Sequence, residues 1–132
     1  MGVTDAGRAV VSARLYGTAS AAFSSIGIGT GTTAFATSQT ALVTEVKADG
    51  TAASGVHALA TASTTASSVT TTVTNDTAQW TGNISITGTI AIAESGLFNA
   101  DTNGTMLARQ TFTAVNVVSG DTFTPTFKVK NA

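Results

Sequence analysis

The strongest constraint on this chain is a run of two-residue alternation from Trp80 to Ile92. Trp80, Gly82, Ile84, Ile86, Gly88, Ile90 and Ile92 share one parity, and Thr81, Asn83, Ser85, Thr87 and Thr89 share the other. Successive side chains of a strand point to opposite faces, so this run builds sheet with one face buried and the other coated with hydroxyls. As one strand it would be about twice the usual five or six residues, so Gly88 is expected to mark a bulge or a bend.

The chain has 132 residues, enough for one domain around a single core. Charged residues make up only 10% of it, against roughly a quarter in ordinary soluble domains. Threonine, alanine, serine and glycine take their place, which favours strands and tight turns. A net charge of −1 gives no general pull toward nucleic acid or an anionic membrane. It also removes the repulsion that keeps monomers apart, so the chain is expected to live in an assembly. Without cysteine there are neither disulfides nor thiolate metal sites. No apolar segment approaches the roughly 18–20 residues of a membrane span. Met1–Gly7 lacks a basic region followed by an apolar run, so synthesis and folding in a cytoplasm are expected.

Thr4 or Asp5 can cap a short helix with Ala6, Ala9, Val10 and Ala13 at helical spacing and Gly17 as its stop. Phe23 to Gly31 reads as a strand entering a glycine turn, and Thr37–Val46 as a helical turn capped by Ser38 before a short strand. Asp49-Gly50 is a tight turn. Val56–Ala62 and Ser67–Asn75 read as threonine-rich strands, joined by a loop at Ser63–Ser68. Beyond the central run, Asn103-Gly104 signals a hairpin into Met106–Phe112, and Ser119-Gly120-Asp121 turns the chain into Thr122–Lys130. Pro125 cannot donate to a ladder, so that last strand should be an edge, guarded by Lys128 and Lys130. No internal repeat stands out. Short strands at regular spacing argue for a single antiparallel β-sandwich, jelly-roll or immunoglobulin-like in character, over residues 23–132, with a helix or arm over residues 1–22.

Candidate chemistry is sparse. Gly27-Ile28-Gly29-Thr30-Gly31 lacks the following Lys-Ser/Thr of a phosphate loop and the dinucleotide glycine spacing, so it reads as a turn. His57, the single histidine, has no acid or nucleophile near it in sequence and reads as structural. The acids Asp5, Glu45, Asp49, Asp76, Glu94, Asp101 and Asp121 are scattered, most of them in turns or caps; a glycosidase pair could form only by their meeting in space. Asp101 and Asn103 could contribute to a calcium site but lack the spacing of a known loop. Three Asn-X-Ser/Thr triplets, at Asn75, Asn83 and Asn103, are what a threonine-rich chain produces by chance. Nucleic-acid binding needs a basic stripe with interleaved aromatics, which Lys128, Lys130 and Phe127 do not make.

Two segments carry a resemblance. Ile26-Gly27-Ile28-Gly29-Thr30-Gly31-Thr32-Thr33-Ala34, followed by Ser38-Gln39-Thr40-Ala41-Leu42-Val43-Thr44-Glu45-Val46, resembles an opening common in small bacteriophage virion proteins. Ile90 to Ala100, containing Glu94-Ser95-Gly96-Leu97-Phe98-Asn99-Ala100, and then Gly104-Thr105-Met106-Leu107-Ala108-Arg109 are similar to the block that follows in the same proteins. Ser95 stands where alanine is usual, and the middle, Lys47–Asn75, matches loosely. Leu97 and Phe98 read as core, and Glu94 with Arg109 as a cross-strand ion pair of the exposed kind, worth about 0–1 kcal/mol.

The resemblance implies a structural protein of the virion and no enzyme. The leading expectation is a capsid decoration (cement) protein that binds the outer face of the head. Its partners would be the major capsid protein and further copies of itself, in a symmetric homo-oligomer of which a trimer is one form. It implies no cofactor, no metal, no nucleic acid and no membrane. A tail, collar or fibre-associated subunit is the alternative, and a host-glycan-binding module a more distant one. The glycan reading needs exposed aromatic platforms, and Trp80 falls on the buried parity. The candidate interface residues are Arg8 and Arg14 in the N-terminal segment and Lys128 and Lys130 in the final strand.

Overall fold

A computed structural model describes residues 2–15, 17, 22–53, 55–58 and 64–130. These residues are mainly β, in antiparallel sheets with one short N-terminal helix, a sandwich-like arrangement. The elements are β1 (Gly2–Val3), α1 (Asp5–Leu15), β2 (Ser25–Gly29), β3 (Glu45–Val46), β4 (Thr64–Val69), β5 (Thr77–Gly82), β6 (Ile84–Ser85), β7 (Ile90–Phe98), β8 (Met106–Val117), β9 (Thr122–Phe123) and β10 (Thr126–Lys130). One sheet has the order β1-β8-β7-β2-β3, a second β10-β5-β4, and β6 pairs with β9 as a short ribbon. The main core draws Ile26 and Ile28 from β2, Ile90, Ile92 and Leu97 from β7, Leu107 and Ala108 from β8, and Phe127 from β10.

The alternation holds from Gly82 to Ile92 apart from half-buried Gly88, while Trp80 and Thr81 are both half-buried. Gly82, Ile84, Ile86, Ile90 and Ile92 are buried, whereas Asn83, Ser85, Thr87 and Thr89 are exposed. The run is divided among β5, β6 and β7, so it serves all three sheets. Gly88 sits at the bend, where an added Cβ would stand 2.6 Å from the carbonyl carbon of Asp49. Only glycine lets the two backbones approach so closely. Trp80 is half-buried, and its indole N–H donates to the Phe23 carbonyl at 2.7 Å.

The N-terminal segment joins the five-stranded sheet. β1 pairs antiparallel with β8, Gly2 opposite Arg109 and Val3 opposite Ala108. Thr4 caps α1: its hydroxyl accepts from the Gly7 N–H at 2.9 Å and donates to the Met106 carbonyl. The helix turns Gly7 onto β8, while Ala9, assigned to the apolar face by spacing, is exposed. An alanine at position 7 would place Cβ 2.7 Å from Leu107 Cα, so glycine sets how closely helix and sheet pack.

Several local readings are corrected. The helical turn expected over Thr37–Val46 is a single turn at Thr37-Ser38, where the Gln39 N–H bonds the Ala36 carbonyl at 3.1 Å, and the short strand after it is β3. The N–H groups of Val43 and Thr44 are taken by a distant carboxylate described below. Thr64–Ser68, read as loop, lies in β4, and β4 stops at Val69 rather than running to Asn75. Of the strand expected over Val56–Ala62, Val56 makes one isolated bridge with Thr102, and positions 59–62 lie outside the described residues. β8 runs on to Val117, beyond the expected end at Phe112. The final strand is interrupted at Thr124-Pro125. The hairpin that Asn103-Gly104 signals does form, between β7 and β8 with the return strand starting at Met106. Its loop is wider than two residues, and in it the Asn99 side chain accepts from the Thr105 N–H at 2.7 Å. The Asp49-Gly50 turn forms as read, with Gly50 at a φ of 86° and the Lys47 N–H bonded to the Thr51 carbonyl at 2.8 Å.

The turn between β4 and β5 is organised by Asp76. Its carboxylate accepts from the N–H groups of Thr71 (2.8 Å), Thr72 (3.0 Å) and Val73 (3.1 Å) and from the Thr77 hydroxyl (3.0 Å). Desolvation pushes the carboxyl up, but these donors outweigh it and hold it well below the usual carboxylate range. A depressed native pKa stabilises the fold at pH values above the ordinary 3.8 and ceases to do so as pH falls below it. Urea unfolding followed from about pH 5 to about pH 2 should therefore show the wild type losing more stability than Asp76→Asn. Parallel curves for the two proteins would contradict this.

Candidate functional site

The glycine-run segment and the β7–β8 pair meet at a buried ion pair. Glu94 on β7 and Arg109 on β8 have side chains 0% exposed, with Arg109 Nη2 2.7 Å from Glu94 Oε2. The guanidinium Nε–H donates to the same oxygen at 2.8 Å. Register explains the meeting: Arg109 lies opposite Gly96, one diagonal step from Glu94, which itself faces Thr111. The pair expected as an exposed one is thus fully buried, and the surface value of such pairs does not apply to it.

Each partner also ties down the long connection between β2 and β3. Glu94 Oε1 accepts from the Thr44 N–H at 2.7 Å and the Gly31 N–H at 3.2 Å, and Oε2 accepts from the Val43 N–H at 3.1 Å. Arg109 Nη1 donates to the Thr33 carbonyl at 2.9 Å and to Gln39 Oε1 at 3.1 Å. Here the glycine run acquires its physical meaning. A Cβ on Gly31 would stand 2.6 Å from Glu94 Oε1, and one on Gly29 would stand 2.5 Å from the Thr44 carbonyl oxygen and overlap the same carboxylate. The glycines cradle a carboxylate of this chain. The arrangement orders the 30–44 loop and leaves neither charged group open to a substrate.

A second acid lies across the sheet. Glu45 Oε1 is 2.6 Å from His57 Nδ1, and the His57 ring stacks on Phe98 with centroids 3.7 Å apart. With Glu45 ionised, the His57 Nδ1–H is the donor of this bond. Among the described residues Nε2 is buried without a hydrogen-bond partner. His57 therefore has the acid partner that its sequence neighbours do not supply. An acid–histidine pair becomes catalytic or metal-binding only with a nucleophile or further ligands at Nε2. Among the described residues no group of three or more His, Cys, Asp or Glu could hold a metal ion. Asp101 of the calcium reading instead accepts from the Ser25 hydroxyl at 2.6 Å.

The candidate interface residues lie on two separate elements. Arg8 and Arg14 are exposed on α1, which packs against β8. Lys128 and Lys130 are exposed on β10, the outer strand of the three-stranded sheet, as an edge strand with a preceding proline requires. Lys130 Nζ donates to the Thr72 hydroxyl at 2.6 Å and lies 4.0 Å from Asp76 Oδ2. Beside β10 the fold opens a groove of about 570 Å³ lined by Ser95, Gln110, Phe112, Phe123, Pro125, Thr126, Phe127 and Lys128. The rings of Phe112 and Phe123 stack at its side with centroids 6.3 Å apart. Sequence reading missed this groove. The available signal was phenylalanines on three successive strands, and nothing local says that they converge. No protein-family model, no curated protein and no solved structure matches the chain.

Proposed function

We propose that this chain is a structural subunit of a bacteriophage particle that acts as a capsid decoration protein on the outer surface of the head. The observation that supports this reading is the union of the two resembling segments. The first supplies Gly29, Gly31, Thr33, Val43 and Thr44, and the second supplies the Glu94 and Arg109 that hold them. On this reading the two segments build a scaffold around a buried polar clamp, and the work is done by its surface.

The proposed mechanism is mass action. A protein that binds only the assembled lattice stabilises it by its binding free energy, about 2.7 kcal/mol per site at a concentration a hundredfold above Kd. Many identical copies, contacting the major capsid protein and one another as a homo-oligomer, would multiply that effect over the shell. No catalysis and no cofactor enter this mechanism.

The test adds purified protein to expanded heads that lack it and, separately, to tail tubes. Saturable binding to heads, together with a rise in their temperature of disruption, is the expected result. Binding to tail tubes alone would make the protein a tail component. Cryo-electron microscopy of the intact particle gives an independent answer through the position of the chain's density.

A further inference from the structure

β10 pairs with β5 along its whole length, Thr126 opposite Thr81 through Lys130 opposite Thr77, and among the described residues no strand pairs with its other side. The aromatic groove lies along that open side. Thr126, Phe127 and Lys128 of β10 all line it, with Pro125 just before them, although consecutive strand residues point to opposite faces. A cavity touched by consecutive residues runs along a strand's edge, not over one of its faces. Its far wall is Phe112 and Gln110 of β8, with Phe123 of β9 at one end.

Lysines on an open edge also serve to repel stray strands. That role alone would not explain an apolar trough beside them. We propose that the β10 edge and this groove are the docking site for an extended segment of another protein, with apolar side chains alternating with carboxylates. Main-chain hydrogen bonds to β10 would add the segment as a further strand. Its apolar side chains would enter the groove, and a carboxylate on its other face would lie against Lys128, whereas Lys130 is already bonded to Thr72 and lies 4.0 Å from Asp76. Side chains two residues apart share a face, so acids at every second position keep one against Lys128 even when the segment shifts by two residues. Among the described residues no acid lies within ion-pair distance of Lys128.

Charge argues against a second copy as the occupant. The two-fold register that pairs all five residues of β10 sets Lys128 opposite Lys128, and like charges directly opposite are destabilising. Nor does the chain contain a matching segment, because its closest acids, Glu45 and Asp49, are four residues apart. The inference stands on the edge, the groove and the charges, independently of any role in a particle.

The test titrates the isotopically labelled full chain with two synthetic peptides of about seven residues, one alternating valine with glutamate and the other valine with lysine. Amide shifts confined to β10 and the groove, with the glutamate peptide binding about five- to tenfold more tightly, are expected. Lys128→Glu should reverse that preference while the amides of β7 and β8 keep their wild-type positions. Equal binding of both peptides, shifts elsewhere, or no shifts at millimolar peptide would overturn the proposal. So would concentration-dependent self-association through β10, which makes the occupant a second copy. Groove shifts produced by a neutral oligosaccharide and not by the peptides would also overturn it, in favour of a glycan site.

Discussion

Arg109→Met is expected to cost about 3–5 kcal/mol, because it leaves the Glu94 carboxylate buried without its counter-charge. It also strips the Thr33 carbonyl and Gln39 Oε1 of their shared donor. In a domain of this size the loss corresponds to a fall in Tm on the order of 10–20 °C. Urea unfolding read by the fluorescence of Trp80, the single tryptophan, measures it directly. Arg109→Lys should be intermediate, since lysine keeps the charge but not the planar fork that serves Glu94 and Thr33 together. Removing both charges should not restore wild-type stability. Glu94 also satisfies the N–H groups of Gly31, Val43 and Thr44, and an apolar replacement would orphan all three. A loss of less than about 1 kcal/mol for Arg109→Met would show that the pair behaves like a surface pair.

Gly29→Ala should produce the second-largest effect, about 2–4 kcal/mol, although it adds a single methyl group. The new Cβ meets the Thr44 carbonyl oxygen at 2.5 Å and Glu94 Cγ at 2.8 Å, so either β3 or the carboxylate must move. Moving the carboxylate lengthens its bonds to Arg109 and to the 30–44 loop, which adds part of the ion-pair loss to the overpacking cost. A double-mutant cycle with Arg109→Met separates the two contributions. If the methyl acts through the ion pair, the two losses fall short of additivity by about 1 kcal/mol or more. Additivity within about 0.5 kcal/mol would place the clash at the Thr44 carbonyl alone.

The glycine run shows how sequence reading succeeds and where it stops. Ile26 and Ile28, alternating with Gly27 and Gly29, mark a buried strand, and both isoleucines are fully buried in β2. Rejection of a phosphate loop follows from missing neighbours. What the glycines do instead depends on Glu94, which lies 65 positions from Gly29 in the chain and reaches it through the pairing of β2 with β7. The same limit applies to His57 and Glu45. They are separated by 12 positions and meet because β3 adds to the edge of β2, an event without a local signature.

β7 gives a subtler case. Strict alternation would keep Ile92, Glu94 and Phe98 on one face. Yet Ile92 and Leu97 join the main core, whereas Phe98 packs with Leu42 and Met106 in a smaller cluster. Register shifts against β8, between Ile92 and Glu94 and between Leu97 and Phe98, accompany the change. Irregularities of this kind reassign faces, and they are set by the partner strand as much as by the strand itself.

Antiparallel sheet with one hydroxyl-coated face, the turns at Asp49-Gly50 and Gly120, and an edge in the last strand are all legible in the residue pattern. Those properties follow from side-chain periodicity and from backbone preferences of single residues, which act over a few positions. The tertiary structure alone decided that Glu94 and Arg109 are buried, that a carboxylate fills the glycine cradle, and that Phe112, Phe123 and Phe127 flank one groove. Each of these depends on strand register between distant segments, and register is settled by the energy of the whole packed core rather than by any local stretch of chain.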